Sequence, residues 1–435
     1  MIITPLYSSR SPVVNATSKD TSNDGNHVVD ALQPTVRQLE TFQIGTATKK
    51  HRINVKSPSF IPDDNILQQT EELSKQPCTV NWSRVVDIQL ANWATSGIST
   101  AQVATLCNRK AMLISIHNSQ VRHMTWNLSA QHLHRVVCSM WLIQMAINLA
   151  NLRNDPIPNL EIALQPGDGS FSTSMTQWDK AGPLLSNVKC NQDASVSFPQ
   201  TLHDQFGMGD GRMSINMYQH RYQLLYITGN GTWLGKDAHC FFSAGAGATT
   251  RGNRSHLFNT DSPYMKTVDH AVPISEYGQY RYLVYAYGHC GWSRRLHELA
   301  FMRAGILMEK SACREYVHHI FDPVNEYISV EEDFSDVRSW LQKLAANEEQ
   351  SRRMAEQWHL RGTASFTLQC TLSYVDQLLR RYAALQRFTP VERTAWPIYT
   401  LGDTHTHFKR FGRNGTSEDC PAAVVDRTLP RSHEC

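Results

Sequence analysis

Residues Tyr280–Glu332, YRYLVYAYGHCGWSRRLHELAFMRAGILMEKSACREYVHHIFDPVNEYISVEE, decide the fold. The opening run, Tyr280 to Gly288, is β-branched and aromatic and short enough to be a buried strand. A turn, HCGW, follows, and Ser293 is placed to cap a helix whose Leu296, Leu299 and Ala300 share one face. GILMEK (Gly305 to Lys310), an amphipathic REYVHHIF and EYISVEE (Glu326 to Glu332) complete an alternation of three strands with two helical segments. That spacing predicts a parallel sheet with right-handed crossovers, half of a doubly wound α/β domain.

In such a domain a ligand binds outside the carboxyl ends of the strands. The first strand delivers the chain to Gly288, Gly291, Trp292, Ser293, Arg294 and Arg295. Glycine permits close backbone approach, a helix start offers N–H groups, and a guanidinium adds bidentate charge, so the turn suits a phosphate.

These residues resemble a known family. GWSRRLHEL, AGILMEKS and REYVHHIFDPVNEYISVEEDFSDV look like the C-terminal half of the Rumi-like protein O-glucosyltransferases and capsule-associated xylosyltransferases, glycosyltransferase family 90. The matching positions are Gly291, Trp292, Ser293, Arg295, Lys310, Glu315, Tyr316, Pro323, Tyr327 and Asp333. One position departs: Glu326 stands where the family usually has His before the Tyr.

The chain has 435 residues, enough for two or three domains. Its 42 basic and 39 acidic residues leave a net charge of +3, too mild to imply a nucleic-acid partner. A hydrophobic share of 41% is that of a soluble globular protein with material for two cores. Ten Cys without a CxxC pair argue against a zinc cluster and leave disulfides and buried thiols both open. Sequons at Asn15, Asn81, Asn127, Asn230, Asn253 and Asn414 are compatible with a lumenal or secreted chain.

Residues 1–76 are polar and read as a poorly ordered tail or stem. MIITPLYSSRSP lacks the basic start and apolar core of a signal peptide, so a lumenal protein would need its signal or anchor upstream. The most apolar run, Val136 to Leu152, carries Gln144, Asn148 and Asn151 and reads as a buried helix, not a transmembrane segment.

From Cys78 onward, RVVDIQLANWATSG and STAQVATLC read as helices, AMLISIHN as a strand, and Ser129 to Arg153 as a long helix. LEIAL is a strand whose exit, QPGDGS, holds Asp168 between Gly167 and Gly169, a carboxylate at the carboxyl end of a strand. The resemblance implies that Asp168 is the general base, through the frame Pro158, Asn159, Glu161, Ile162, although Ser170 stands where the family commonly has Pro. It also implies acceptor-side roles for Phe198 and Pro199.

Between these stretches YQLLYITG (Tyr222 to Gly229) reads as a strand, followed by a second strand and a Gly-rich loop. The family pattern there, Trp-x-x-Lys and then aromatic-Arg-Gly, is matched by Trp233, Lys236, Phe242 and Gly245, but Ser243 and Ala244 replace the Arg before the Gly. Arg251 or Arg254 would have to supply that charge. GAGATT lacks the third Gly of a dinucleotide fingerprint, and GKD lacks the Ser or Thr of a P-loop.

The resemblance implies two facing Rossmann-like domains, the GT-B architecture, with a C-terminal helical segment packed beneath the donor domain. The helices are FSDVRSWLQKL, NEEQSRRMAEQWHL to a break at Gly362, and FTLQCTLSYVDQLLRRYAAL. The expected divisions are a tail over 1–76, an acceptor-side domain over 77–221, a nucleotide-sugar domain over 222–388 and an irregular tail over 389–435. An inverting transfer of glucose or xylose from a UDP-sugar to a protein Ser or a glycan hydroxyl follows, in the endoplasmic reticulum or Golgi lumen. Gly291, Trp292, Ser293, Arg295, Glu315, Gly245, Arg251 and Arg254 would hold the donor. No D-x-D pair is present, so no metal or other cofactor is expected and protein cations would hold the leaving diphosphate. Two other readings stay open: a catalytically weakened relative that binds a UDP-sugar or glycoprotein, and a different nucleotide-binding α/β enzyme.

Overall fold

The hairpin of β1 (Met112–His117) and β2 (Gln120–His123) turns through Asn118 and Ser119, both with positive φ, 48° and 63°. Two-residue hairpin turns need that backbone, whose twist matches the strands. β3 (Leu160–Leu164) pairs antiparallel with the other edge of β1, and β4 (Leu184–Ser186) and β6 (Ser195–Ser197) continue in parallel. The first sheet, ordered β2-β1-β3-β4-β6, is therefore mixed, where a Rossmann-like half was expected. A tight hairpin can only return antiparallel, and the helix Ala130–Leu152 then carries the chain over to β3, which runs parallel to β2 and so antiparallel to β1. β5 (Lys189–Cys190) leaves this sheet just after the carboxyl end of β4.

The second sheet meets the expectation. β7 (Asp237–Ser243), β8 (Met265–Val268), β9 (Tyr280–Tyr285), β10 (Gly305–Glu309) and β12 (Tyr327–Val330) are all parallel, ordered β12-β10-β9-β7-β8. β11 (Cys313–Arg314) pairs antiparallel with β5, so a two-stranded link joins the two sheets.

These elements come from a computed structural model that describes residues 66–107, 111–124, 130–165, 181–190, 194–199, 214–244, 254, 257–258, 263–288, 291, 293 and 295–401. All lie within the unit Phe60–Cys435.

YQLLYITG is not a strand. It is the second half of a helix, Ile215–Gly229, capped by Ser214 Oγ, which accepts the N–H of Met217 at 3.1 Å. Its buried Ile215, Tyr218, Leu225 and Gly229 recur at helical spacing, a periodicity that the aromatic half alone conceals. The 221/222 boundary falls inside this helix. REYVHHIF likewise forms only a 3-10 turn, Tyr316–Ile320.

The C-terminal helices are Val337–Ala346, Glu348–Ser365 and Leu368–Leu385. Gly362 does not break the second. It sits where a Cβ would come within 2.1 Å of the Ala300 carbonyl oxygen, so it is a close-packing position. Nor does the last helix lie beneath the second sheet. Tyr374 Oη donates to Ser197 O (2.5 Å), Tyr382 Oη to Pro183 O (3.1 Å), and Cys370 forms a disulfide with Cys78, all in the first half of the chain. The segment beyond it is irregular yet pinned to β2, where Tyr399 N–H donates to Val121 O at 2.8 Å.

One hydrophobic cluster runs through both halves, with Ile114, Trp141 and Leu164 joined to Leu283, Met308, Trp358 and Tyr374. A smaller one, around Phe242, Val284, Leu307 and Leu341, fills the other face of the second sheet. The apolar helix Ala130–Leu152 is long and apolar enough to cross a membrane by length and composition, but 78% of its most apolar window is buried inside the protein.

Candidate functional site

Counted from β7, the second sheet has the order 2-1-3-4-5, so the direction of winding reverses between β7 and β9. Above such a reversal the two outgoing loops part and leave a crevice at the carboxyl ends of the strands. β7 ends at Ser243, where residues 245–253 follow, and β9 delivers the chain to Gly288, Gly291, Ser293 and Arg295.

The first sheet brings its own carboxyl edge to the same place. Cys190 lies just past the end of β4 and Cys313 just past the end of β10, and the two form a disulfide. Gly291 packs on this bridge with φ +79°, and a Cβ there would stand 2.8 Å from Cys313 Sγ and 3.7 Å from Cys190 Sγ. Only glycine fits both the backbone and the space.

The turn itself is tightly bonded. The N–H of Gly291 donates to Gly288 O (3.2 Å), that of Arg295 to Ser293 Oγ (3.4 Å) and that of Leu296 to Ser293 O (3.0 Å). Ser293 N–H donates to the Glu315 carboxyl. Free N–H groups were expected here, but these four are engaged within the protein. What the described turn offers an anion is side-chain charge. The Arg295 guanidinium lies 5.6 Å from the Tyr277 ring centroid and 5.9 Å from that of Phe242, and it pairs with no carboxylate among the described residues. The Phe242 ring near the carboxyl end of β7 and the Tyr277 ring of the short helix before β9 thus hold a cation that no carboxylate among the described residues neutralises.

Beneath the turn lies a buried polar group. Glu315 is 1% exposed, accepts from Tyr285 Oη at 3.2 Å, and has His297 Nε2 3.7 Å from its Oε2. Burial pushes the Glu315 carboxyl up to about 8 and His297 down to about 3, so both are neutral at pH 7. Glu315 was expected to hold the donor; it is sealed below Ser293, and its reach to a ligand passes through that residue.

Three residues that the sequence did not single out line the same edge. Arg314 Nη1 donates to Tyr287 Oη (3.1 Å), which also lies 2.9 Å from His318 Nε2. His318 Nδ1 accepts the N–H of Glu315, which leaves the ring proton of this neutral histidine on Nε2, facing Tyr287. Arg314 pairs with no carboxylate among the described residues, a second uncompensated cation beside the seam. Its neighbour Glu315 carries the family pattern, but the charge at 314 had no pattern to mark it.

Arg254 is half-buried and near Glu309, whose Oε2 accepts the N–H of Tyr287 at 2.8 Å. Phe198 and Pro199 are buried; the Phe198 ring belongs to the core and its N–H donates to Ser186 O (2.7 Å). They follow β6 at the carboxyl edge of the first sheet but present no open face. Lys236 is buried at the opposite end of β7, where its Nζ donates to Arg303 O at 2.7 Å. Glu326 also lies at the far end, before β12, with Oε1 accepting from Arg361 Nε (3.0 Å) and Oε2 from Asp322 N (2.9 Å). Its departure from the family pattern is a structural exchange away from the crevice. Asp168, Gly245, Arg251 and Trp292 lie outside the described residues.

The sequence profile of glycosyl transferase family 90 matches residues 74–398 of the chain. Among proteins of curated function none matches the sequence. The fold is similar to the crystal structure of a glycosyltransferase from Rickettsia africae ESF-5, at 10% identity and a TM-score of 0.30, over 55% of this chain and 74% of that one. A likeness so slight carries no weight beside the family match.

Proposed function

The chain belongs to glycosyl transferase family 90, and from that membership we propose that it is an inverting enzyme that moves glucose or xylose from a UDP-sugar to a protein Ser or a glycan hydroxyl, in a GT-B-like crevice. The single observation that carries this reading is the seam. The Cys190–Cys313 bridge ties the carboxyl edges of both sheets together beside Gly291. The chain leaves β3 at that same edge of the first sheet toward Asp168.

In this reading Asp168 takes the proton of the acceptor hydroxyl as its oxygen bonds to the anomeric carbon. The bond from that carbon to the diphosphate oxygen breaks, and its electron pair leaves with UDP. Charge grows on the departing phosphate. Arg295, held against Phe242 and Tyr277, and Arg314, held by Tyr287, are the cations to meet it, with the Ser293 hydroxyl beside them. A neutral Glu315 suits this role, because an ionised carboxylate under the turn would oppose the phosphate. Transfer should survive EDTA, since protein cations would do the work of a metal; loss of turnover that added Mn²⁺ or Mg²⁺ restores would refute this. A lumenal compartment fits the disulfides.

The test is UDP release from a panel of UDP-sugars by wild type, Asp168→Asn and Arg295→Ala. Asp168→Asn should lose turnover by roughly a hundredfold or more while still binding UDP, and Arg295→Ala should lose donor affinity. Wild-type protein that binds UDP but never releases it from any UDP-sugar would instead support a binding module.

A further inference from the structure

Two of the sequons lie among the described residues, and their surroundings differ. Asn81 is engaged: its Oδ1 accepts the N–H of Ser83 at 3.0 Å, and Ser83 Oγ bonds to Gln377 at 3.2 Å. Asn230 ends the helix Ile215–Gly229 in an exposed turn, and neither its side chain nor that of Thr232 has a hydrogen-bond partner among the described residues.

The surface beside Asn230 is unusually apolar. Ile227 is 58% exposed and Leu234 78%. Ile227 precedes Asn230 by three residues on the same helix face, and Leu234 is the middle residue of the 3-10 turn Trp233–Gly235 that follows. A hollow of about 510 Å³ borders the sequon itself, between Gly231, Thr232, Lys236 and Gln279. Two large apolar side chains, each more than half exposed, thus flank the sequon within four residues of Asn230. Here a covalent attachment point stands between them.

We propose that Asn230 carries an N-linked glycan whose first sugars lie over Ile227 and Leu234. The co-reactant is a lipid-pyrophosphate-linked oligosaccharide. Asn230 Nδ2 bonds to the anomeric carbon, the bond from that carbon to the pyrophosphate oxygen breaks with its electron pair, and one amide proton is released. Disulfides such as Cys78–Cys370 and Cys190–Cys313 belong to the oxidising compartments in which such modification occurs. Asn230 precedes β7, at the amino end of the strands, so a glycan there leaves the crevice at their carboxyl ends open. The inference rests on the lumenal placement proposed above and not on the transfer reaction.

The full chain, secreted into the lumen of cultured eukaryotic cells behind a cleavable leader, is treated with a peptide N-glycosidase in heavy-oxygen water and mapped by mass spectrometry. Asn230 should be recovered as labelled Asp in most molecules. Asn230→Gln and Thr232→Ala should each lose one glycan from the gel mobility, keep wild-type UDP release, and bind more of an apolar dye. Adding Leu234→Ser to Asn230→Gln should return dye binding to the wild-type level. An unmodified Asn230 overturns the site, and equal dye binding with and without the glycan overturns its covering role. Occupied Asn230 in a protein without UDP release would leave this inference standing and remove the transferase reading alone.

Discussion

Gly291 shows how much one missing Cβ decides. Its positive φ turns the chain out of β9, and its bare face lets the turn rest on a disulfide. Gly291→Ala should lower stability by about 1–2 kcal/mol for the left-handed backbone alone and raise the KM for donor, read by thermal melting and donor saturation. A normal KM would mean that the turn does not shape the donor site. Glu315 makes a different kind of prediction. Its folded value of about 8 stands above the ordinary carboxyl value of 4.5. Between those limits the folded chain keeps a proton that the unfolded chain has released, so this residue's contribution to stability falls as pH rises from 4.5 to 8 and is constant above. Glu315→Gln keeps the shape and cannot titrate. Its stability should therefore decline less than that of wild type over this window; parallel curves would show that Glu315 is ionised in the fold.

At the scale of elements, the helix Glu348–Ser365 touches the helix Arg295–Ala300 so closely that Gly362 meets backbone, not side chain. Gly362→Ala should cost about 1–3 kcal/mol by overpacking and shift the helix that carries Arg295, visible as a lower Tm together with weaker donor binding. A raised Tm, the usual result of Gly→Ala in a free helix, would show that the contact relaxes. The same glycine reads in the sequence as a helix break, because glycine is rare inside helices and its partner, Ala300, is distant in the chain. YQLLYITG misleads for a related reason: the residues that reveal its period lie upstream, beginning with the Ser214 cap.

At the scale of the whole molecule, two disulfides among the described residues close long loops, Cys78 to Cys370 over 292 residues and Cys190 to Cys313 over 123. Replacing Cys190 and Cys313 together with Ala should lower stability by about 2–4 kcal/mol and reduce turnover more than the equivalent change at Cys78 and Cys370, since only the former pair adjoins Gly291. Equal losses of turnover would assign both bridges to stability alone. What the residues determined by themselves was local and periodic. It comprises the parallel strands from Tyr280 to Val330, the cap at Ser293, the family membership through Gly291, Ser293, Arg295 and Glu315, and the buried nature of the Val136 to Leu152 helix. Those follow from spacing along the chain, where the physics of strands, helices and turns acts over a few residues. Tertiary structure alone decided that Cys190 pairs with Cys313, that β1 reverses the first sheet, that Glu315 lies under the turn and not in the crevice, and that Arg314 stands at the seam against Tyr287. Each of these depends on contacts between residues far apart in sequence, and their partners are chosen by packing a core shared by both halves, which no local period encodes.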